Sequence, residues 1–157
     1  MFSIRKAAEG DAAGILDCLR SSFEPYRESY TPEGFADTVL SAETIGARLS
    51  EMAVFVAVSG SGEVIGTVGC AIAAKEEGHI RGMAVLSAWQ GYGVAAELLR
   101  AAEAELGARG CARVSLDTTE PLKRAARFYE KNGYRASGRV ADFFGMPLFE
   151  YVKPLRR

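Results

Sequence analysis

Three extended apolar runs follow one another between Ala53 and Val85, with only short turns between them. Ala53–Val58 is the first, Ser59-Gly60-Ser61-Gly62 a turn, Val64–Ala73 the second, Lys75–Gly78 another turn and His79–Val85 the third. Strands joined this tightly must run antiparallel, because a parallel return needs a crossover of about a dozen residues or more. The middle of the chain is thus a β-meander, and every other element has to pack on it.

Around the meander the apolar period becomes helical. Ala12–Phe23 places Ile15, Leu16, Leu19 and Phe23 on one face, after a short strand at Phe2–Lys6 and with Asp11 as a helix cap. Glu24-Pro25 closes that helix, since the residue before a proline resists helical angles. Pro25 to Gly46 mixes aromatics, acids and two small helical fragments. Val94–Leu106 carries Val94, Leu98, Leu99, Ala102 and Leu106 on one stripe and ends at Gly107 and Gly110. A strand at Arg113–Thr118, a helix at Pro121–Asn132 with Pro121 in its first turn, and strands at Tyr134–Val140 and Met146–Lys153 complete the order. The fold class this predicts is α/β (α+β), with a mixed, mostly antiparallel sheet flanked by helices and one late βαβ crossover.

Composition narrows the class of function. The 157 residues suit a single domain over 1–157, and 48% hydrophobic with 25% charged residues excludes a disordered chain or a fibre. A formal charge of -1 gives no basic surplus for nucleic acid. No apolar run approaches the ~18 residues of a membrane span, and Met1–Asp11 has no charged-then-apolar signal. Cys18, Cys70 and Cys111 are isolated, with neither metal-ligand spacing nor a disulfide framework, so a reducing cytoplasm is the expected setting.

The most informative stretch is Met83-Ala84-Val85 followed by Trp89-Gln90-Gly91-Tyr92-Gly93-Val94-Ala95, which opens a helix. Glycines at 91 and 93 let a ligand approach the backbone and leave the first helical N–H groups uncovered. With the helix dipole behind them, those donors suit a phosphate. The same residues admit a plain glycine-rich turn with nothing bound. Gly91-Tyr92-Gly93-Val94-Ala95-Ala96 also fits a loose dinucleotide fingerprint. Against that stand the four residues between Val85 and Gln90, where a dinucleotide fold turns tightly, and the lack of an acid about 20 residues on at a second strand's end.

Here the chain resembles the GNAT superfamily of acyl-coenzyme A-dependent N-acyltransferases. The family's pyrophosphate loop, Gln/Arg-x-x-Gly-x-Gly/Ala, is met by Gln90-Gly91-Tyr92-Gly93-Val94-Ala95. Its second signature appears as Ala125-Ala126-Arg127-Phe128-Tyr129-Glu130-Lys131-Asn132-Gly133-Tyr134. The resemblance implies acetyl-CoA as co-substrate, a small-molecule or peptide amine as acceptor, no metal, and compatibility with a homodimer. It assigns the backbone of Met83 and Val85 to the pantetheine arm, and Gln90, Gly91, Tyr92, Gly93, Val94 and Ala95 to the pyrophosphate. A backbone N–H near Val85 would polarise the thioester carbonyl. Leu122 stands where many members carry asparagine, so one cofactor hydrogen bond of the family is not expected here. A non-catalytic acyl-CoA-binding module is the alternative.

By the same resemblance Tyr129 is the general acid for the leaving thiolate. A phenol titrating near 10 keeps its proton at neutral pH. His79, the only histidine, is one candidate base, on a strand whose residues 79, 81, 83 and 85 are expected to share a face. Asp117 is the other, though an acid at a strand end also serves simply to cap the following turn. Glu24, Glu28, Asp142 and Glu150, interleaved with Tyr26, Tyr30, Phe143 and Phe144, would suit a small cationic acceptor amine, although acids on loops are more often solvated surface.

Overall fold

The computed structural model describes residues 1–119 and 122–155. In chain order the elements are β1 (Phe2–Lys6), α1 (Ala12–Phe23), α2 (Pro32–Thr38), α3 (Ile45–Glu51), β2 (Ala53–Ser59), β3 (Val64–Ala74), β4 (Glu77–Val85), α4 (Val94–Ala108), β5 (Arg113–Thr119), α5 (Lys123–Lys131), β6 (Arg135–Phe143) and β7 (Met146–Pro154). The seven strands form one sheet in the order β1-β2-β3-β4-β5-β7-β6. Every adjacent pair is antiparallel except β4 and β5, which are parallel across the α4 crossover.

Two cores lie on the sheet. One gathers Ile65, Val68 and Ile80 of the strands under Val94, Leu98, Leu99, Ala102 and Leu106 of α4. The other sets Ile15, Cys18, Leu19 and Phe23 of α1 against Val54, Val56 and Ala84. The α4 stripe is the one its periodicity predicts. In α1 the buried set includes Cys18, while Leu16 is only partly covered.

Several local expectations change. Asp11 does not cap α1; its carboxylate turns back to accept from the Ala8 N–H at 2.7 Å and to pair with Arg5 at 2.7 Å. Gly107 sits inside α4, and the chain leaves the helix at Gly110, whose φ of +91° suits glycine. The turn between β3 and β4 is only Lys75-Glu76. Pro121 lies outside the described residues.

One departure matters for the site. Between β3 and β4 the register shifts at Thr67/Gly69, so that Gly82 and Met83 lie opposite Val68, with Gly82 at φ +72°. This is a bulge of the kind glycine permits, and it reverses the alternation along β4. Ile80 packs toward α4, yet Ala84 packs toward α1. Residues 79, 81, 83 and 85 therefore do not share one face: Met83 and Val85 fall on the α4 side.

Just ahead of the bulge, β4 leaves β5. Their pairing extends only from Glu77↔Arg113 to Ile80↔Leu116, although β4 continues to Val85 and β5 to Thr119. The closed end is held by tight packing: a Cβ at Gly78 would stand 2.6 Å from Leu106 Cδ1. Gly78→Ala is expected to cost about 1–3 kcal/mol in urea unfolding, the usual range for overpacking. That cost should fall in a Leu106→Ala background, where the space exists; strictly additive costs would show that this contact is not what the glycine serves.

Candidate active site

The parting of β4 and β5 opens a cleft of about 580 Å³. Its floor is β4 from His79 to Val85 and β5 from Leu116 to Thr119, and its far end is the turn entering α4. Beyond Ile80, among the described residues, no strand meets the β5-facing edge of β4, so amide groups there are available to a ligand. On that stretch the Val85 carbonyl accepts from Ser22 Oγ of α1 at 3.3 Å.

The α4 end is built for an anion. Gly91 and Gly93 take φ of +89° and +83°, and a Cβ at either would meet nothing within 4 Å. Gly93 is the residue before the first turn of α4, and no side chain caps that turn. The 15-residue helix thus presents its first N–H groups toward open space, with the positive end of its dipole. These features fit a phosphate-bearing co-substrate. Gln90, Gly91, Gly93, Val94 and Ala95 line the cleft, as do Met83 and Val85. Tyr92 does not; it is 67% exposed and its ring lies on Trp89, with centroids 5.6 Å apart. A 3-10 turn over Ser87–Trp89 fills the gap after Val85 that a tight dinucleotide turn would lack. Arg124 also borders the cleft; only its position in the fold shows this.

Tyr129 reaches the cleft from α5. It is 7% exposed, more buried than Phe128, which packs only partly buried against the core. Its ring packs edgewise on Phe128 and Tyr134, at 5.4 and 5.8 Å. Burial alone raises its pKa well above the ordinary phenol range, so it stays protonated. The rest of the second motif fixes this placement: Tyr134 donates to Glu103 of α4 at 2.7 Å, and Lys153 of β7 joins the same carboxylate at 3.1 Å. Leu122 lines the cleft with an apolar side chain, and so cannot make the asparagine's hydrogen bond.

His79 and Asp117 meet across the β4–β5 pair. His79 Nε2 lies 3.6 Å from Asp117 Oδ2, and Nδ1 lies 3.0 Å from Ser115 Oγ. The Ser115 hydroxyl is 3.5 Å from the Gly78 carbonyl, to which it donates, so it accepts from His79 Nδ1–H. That network assigns the neutral tautomer with its lone pair on Nε2, facing the carboxylate. The 3.6 Å gap is too long for a direct hydrogen bond, so Asp117 acts on the ring as a nearby negative charge. Burial holds the imidazole below the ordinary histidine range, opposed by the Asp117 charge; burial likewise pushes the Asp117 carboxyl up, opposed by His79.

The expected ring of acids is not assembled. Tyr26, Tyr30 and Phe143 line the cleft. Glu24 instead pairs with Arg27 at 2.8 Å, Asp142 accepts from the Gly145 N–H at 3.2 Å, and Glu150 accepts from Ser137 Oγ at 2.8 Å. Glu28 and the half-exposed Phe144 do not border the cavity.

The family model described as the acetyltransferase (GNAT) family matches residues 15–134. The chain belongs to the GNAT acetyltransferase family. It is thereby an acyl-CoA-dependent N-acyltransferase. No curated protein sequence matches this GNAT chain significantly. Among solved structures it is similar to a PaiA N-acetyltransferase from Thermoplasma acidophilum in complex with coenzyme A, at 19% identity, TM-score 0.81 and 99% coverage of each chain. It is similar to a GNAT acetyltransferase from Staphylococcus aureus Mu50, at 16% identity and TM-score 0.80, covering 99% of this chain and 100% of that one. It is also similar to the ribosomal-protein-S18-alanine N-acetyltransferase of Escherichia coli, at 15% identity and TM-score 0.79, covering 100% of this chain and 96% of that one. At these identities the likeness establishes the fold.

The single histidine makes the His79–Asp117 arrangement directly testable. Because its native pKa is depressed, its neutral form favours the fold above the unfolded value of about 6.5, and that contribution is lost as the pH falls through it. The His79 NMR titration should therefore fall below free imidazole, and Asp117→Asn should lower it further by removing the counter-charge. A rise in Asp117→Asn would show that this carboxylate does not face the ring.

Proposed function

We propose that the protein transfers the acetyl group of acetyl-CoA to a primary amine of a small molecule or peptide by direct attack, in a cytoplasmic setting. The observation that carries this is one continuous cleft lined by the phosphate-ready end of α4, the free edge of β4, the protonated Tyr129 and the His79–Asp117 pair. The donor supplies an electrophilic thioester carbonyl. The residues of this chain do the rest.

Gly91, Gly93 and the first N–H groups of α4 hold the pyrophosphate, with Gln90, Tyr92, Val94 and Ala95 forming the loop around it. The β4 edge at Met83 and Val85 aligns the pantetheine amides, and a backbone N–H beside the bulge polarises the acyl oxygen. An incoming ammonium loses a proton to His79 Nε2, directly or through water, while Asp117 stabilises the positive charge the ring acquires. The nitrogen lone pair then forms the C–N bond as the C–S bond breaks. The sulfur leaves with the electron pair and takes the Tyr129 hydroxyl proton, while the new amide nitrogen releases its extra proton to solvent, from which the tyrosinate regains one. The product is an amide and free coenzyme A.

Acetyl-CoA and coenzyme A should each raise the thermal midpoint, and a nicotinamide dinucleotide should not. Gly93→Asp should reduce that shift by placing a carboxylate at the anion site. Thiol release would then identify the amine. No shift with either coenzyme A species removes the loop from any binding role and the proposal with it. Tyr129→Phe should lower kcat by about 10²-fold or more and retain the coenzyme A shift. Unchanged turnover would mean that water protonates the thiolate.

A further inference from the structure

At the bulge, α3 lays Arg48 across the backbone of Gly82. A Cβ there would stand 2.5 Å from Arg48 Nη1, so a side chain at position 82 would displace the guanidinium. Arg48 is half-buried and lines the cleft, yet among the described residues it makes no salt bridge or hydrogen bond. The nearby Arg81 does have a partner, Asp37, at 2.9 Å. Two guanidiniums and one carboxylate therefore leave one positive charge in excess at this corner. Burial and Arg81 lower the Arg48 pKa to about 10, with Asp37 opposing, a sign that its charge is poorly solvated and poorly matched.

The phosphates of the donor are at the wrong end to supply the missing anion. Gly82 precedes Met83 and Val85, whereas the α4 loop follows them, and Gly82 to Val85 alone spans ~10 Å of strand. What reaches Arg48 is the molecule that approaches the acyl group from the bulge side. The cleft there is also polarised along β4, with Asp117 beside His79 and Arg48 over Gly82. The acids expected to attract a polycation are turned away, Glu24 to Arg27 and Asp142 to its own turn.

From this juxtaposition, and resting on the acyl-transfer reading above, we propose that Arg48 receives a carboxylate of the acceptor. The substrates are then small amino carboxylates, whose ammonium lies toward His79 and Asp117 and whose carboxylate forms a charge-assisted, forked pair with the guanidinium. A polyamine would instead place a cation against an uncompensated guanidinium.

The test uses free amino acids and their carboxamides as matched probes, with two readouts. The first is the thermal midpoint of the coenzyme A-saturated protein, which does not depend on turnover. The second is thiol release from acetyl-CoA. At least one amino acid should bind, and show kcat/KM, about tenfold or more better than its amide, the size of one charge-assisted hydrogen bond. In Arg48→Gln that preference should collapse through KM rather than kcat, and Arg48→Lys should restore part of it. Coenzyme A should still shift the midpoint of both variants, showing that they are folded. No carboxylate preference with any probe, or a preference that survives in Arg48→Gln, overturns the assignment. Carboxylate-dependent binding without thiol release would uphold the Arg48 site and remove the acyl-transfer reading. Thiol release equal for acids and amides would do the reverse.

Discussion

The fold turns on where two parallel strands stop pairing. β4 and β5 share a register from Glu77 to Ile80 and then part. Left alone, the exposed amides along β4 would be a liability, since a free strand edge invites pairing with another chain. In this fold the edge faces a cleft, and in the proposed function a ligand with amides of its own would complete the ladder without a strand. The Gly82 bulge lies on the same stretch and turns Met83 and Val85 toward α4 while His79 stays on the other face. One glycine thus puts Met83 and Val85 on a different face from His79, which separates the two roles proposed for them.

Burial acts on the two proton-handling groups in opposite senses, and to the same end. It lowers the pKa of His79 and raises that of Tyr129, because in each case the charged form is the one the interior disfavours. His79 is deprotonated and Tyr129 protonated across a wider pH range than free imidazole and phenol would allow, as the proposed base and acid roles require. Neither group needs a permanent charge in the resting state. The fixed charge belongs to Asp117, whose partial burial is tolerable because the ring opposite becomes a cation when it accepts a proton.

Much of this architecture was legible in the sequence because it is local or periodic. The meander follows from turn spacing, the α4 stripe from its 3.6-residue period, and the loop from glycines at a helix start. What escaped reading depends on partners distant in sequence. The reversal of faces along β4 comes from a register shift against β3, which alternation within β4 cannot reveal. Ser115 sets the tautomer of His79 across a parallel pair whose members lie 36 residues apart. Arg48 belongs to a seven-residue helix in a stretch with no clear period, and only packing over Gly82 brings it to the cleft. Glu24, Asp142 and Glu150 found nearer partners, the surface alternative that loop acids always offer.

The acceptor end rests on elements that could not stand alone. α2 and α3 are seven residues each, far shorter than an isolated helix needs in water. They are held by the rest of the chain: Thr31 donates to the Phe144 carbonyl at 2.9 Å, tying α2 to the β6–β7 hairpin, and the Tyr30 hydroxyl lies 3.0 Å from Thr119 Oγ1 on β5. The donor side has the opposite construction, with its loop rooted in a 15-residue helix whose apolar stripe is fully buried. Side chains facing the acceptor can therefore change at small expense to the sheet, whereas the phosphate loop cannot move without repacking the larger core. On the proposed function, acceptor choice would lie in the short helices and the hairpin, and donor choice in the core itself.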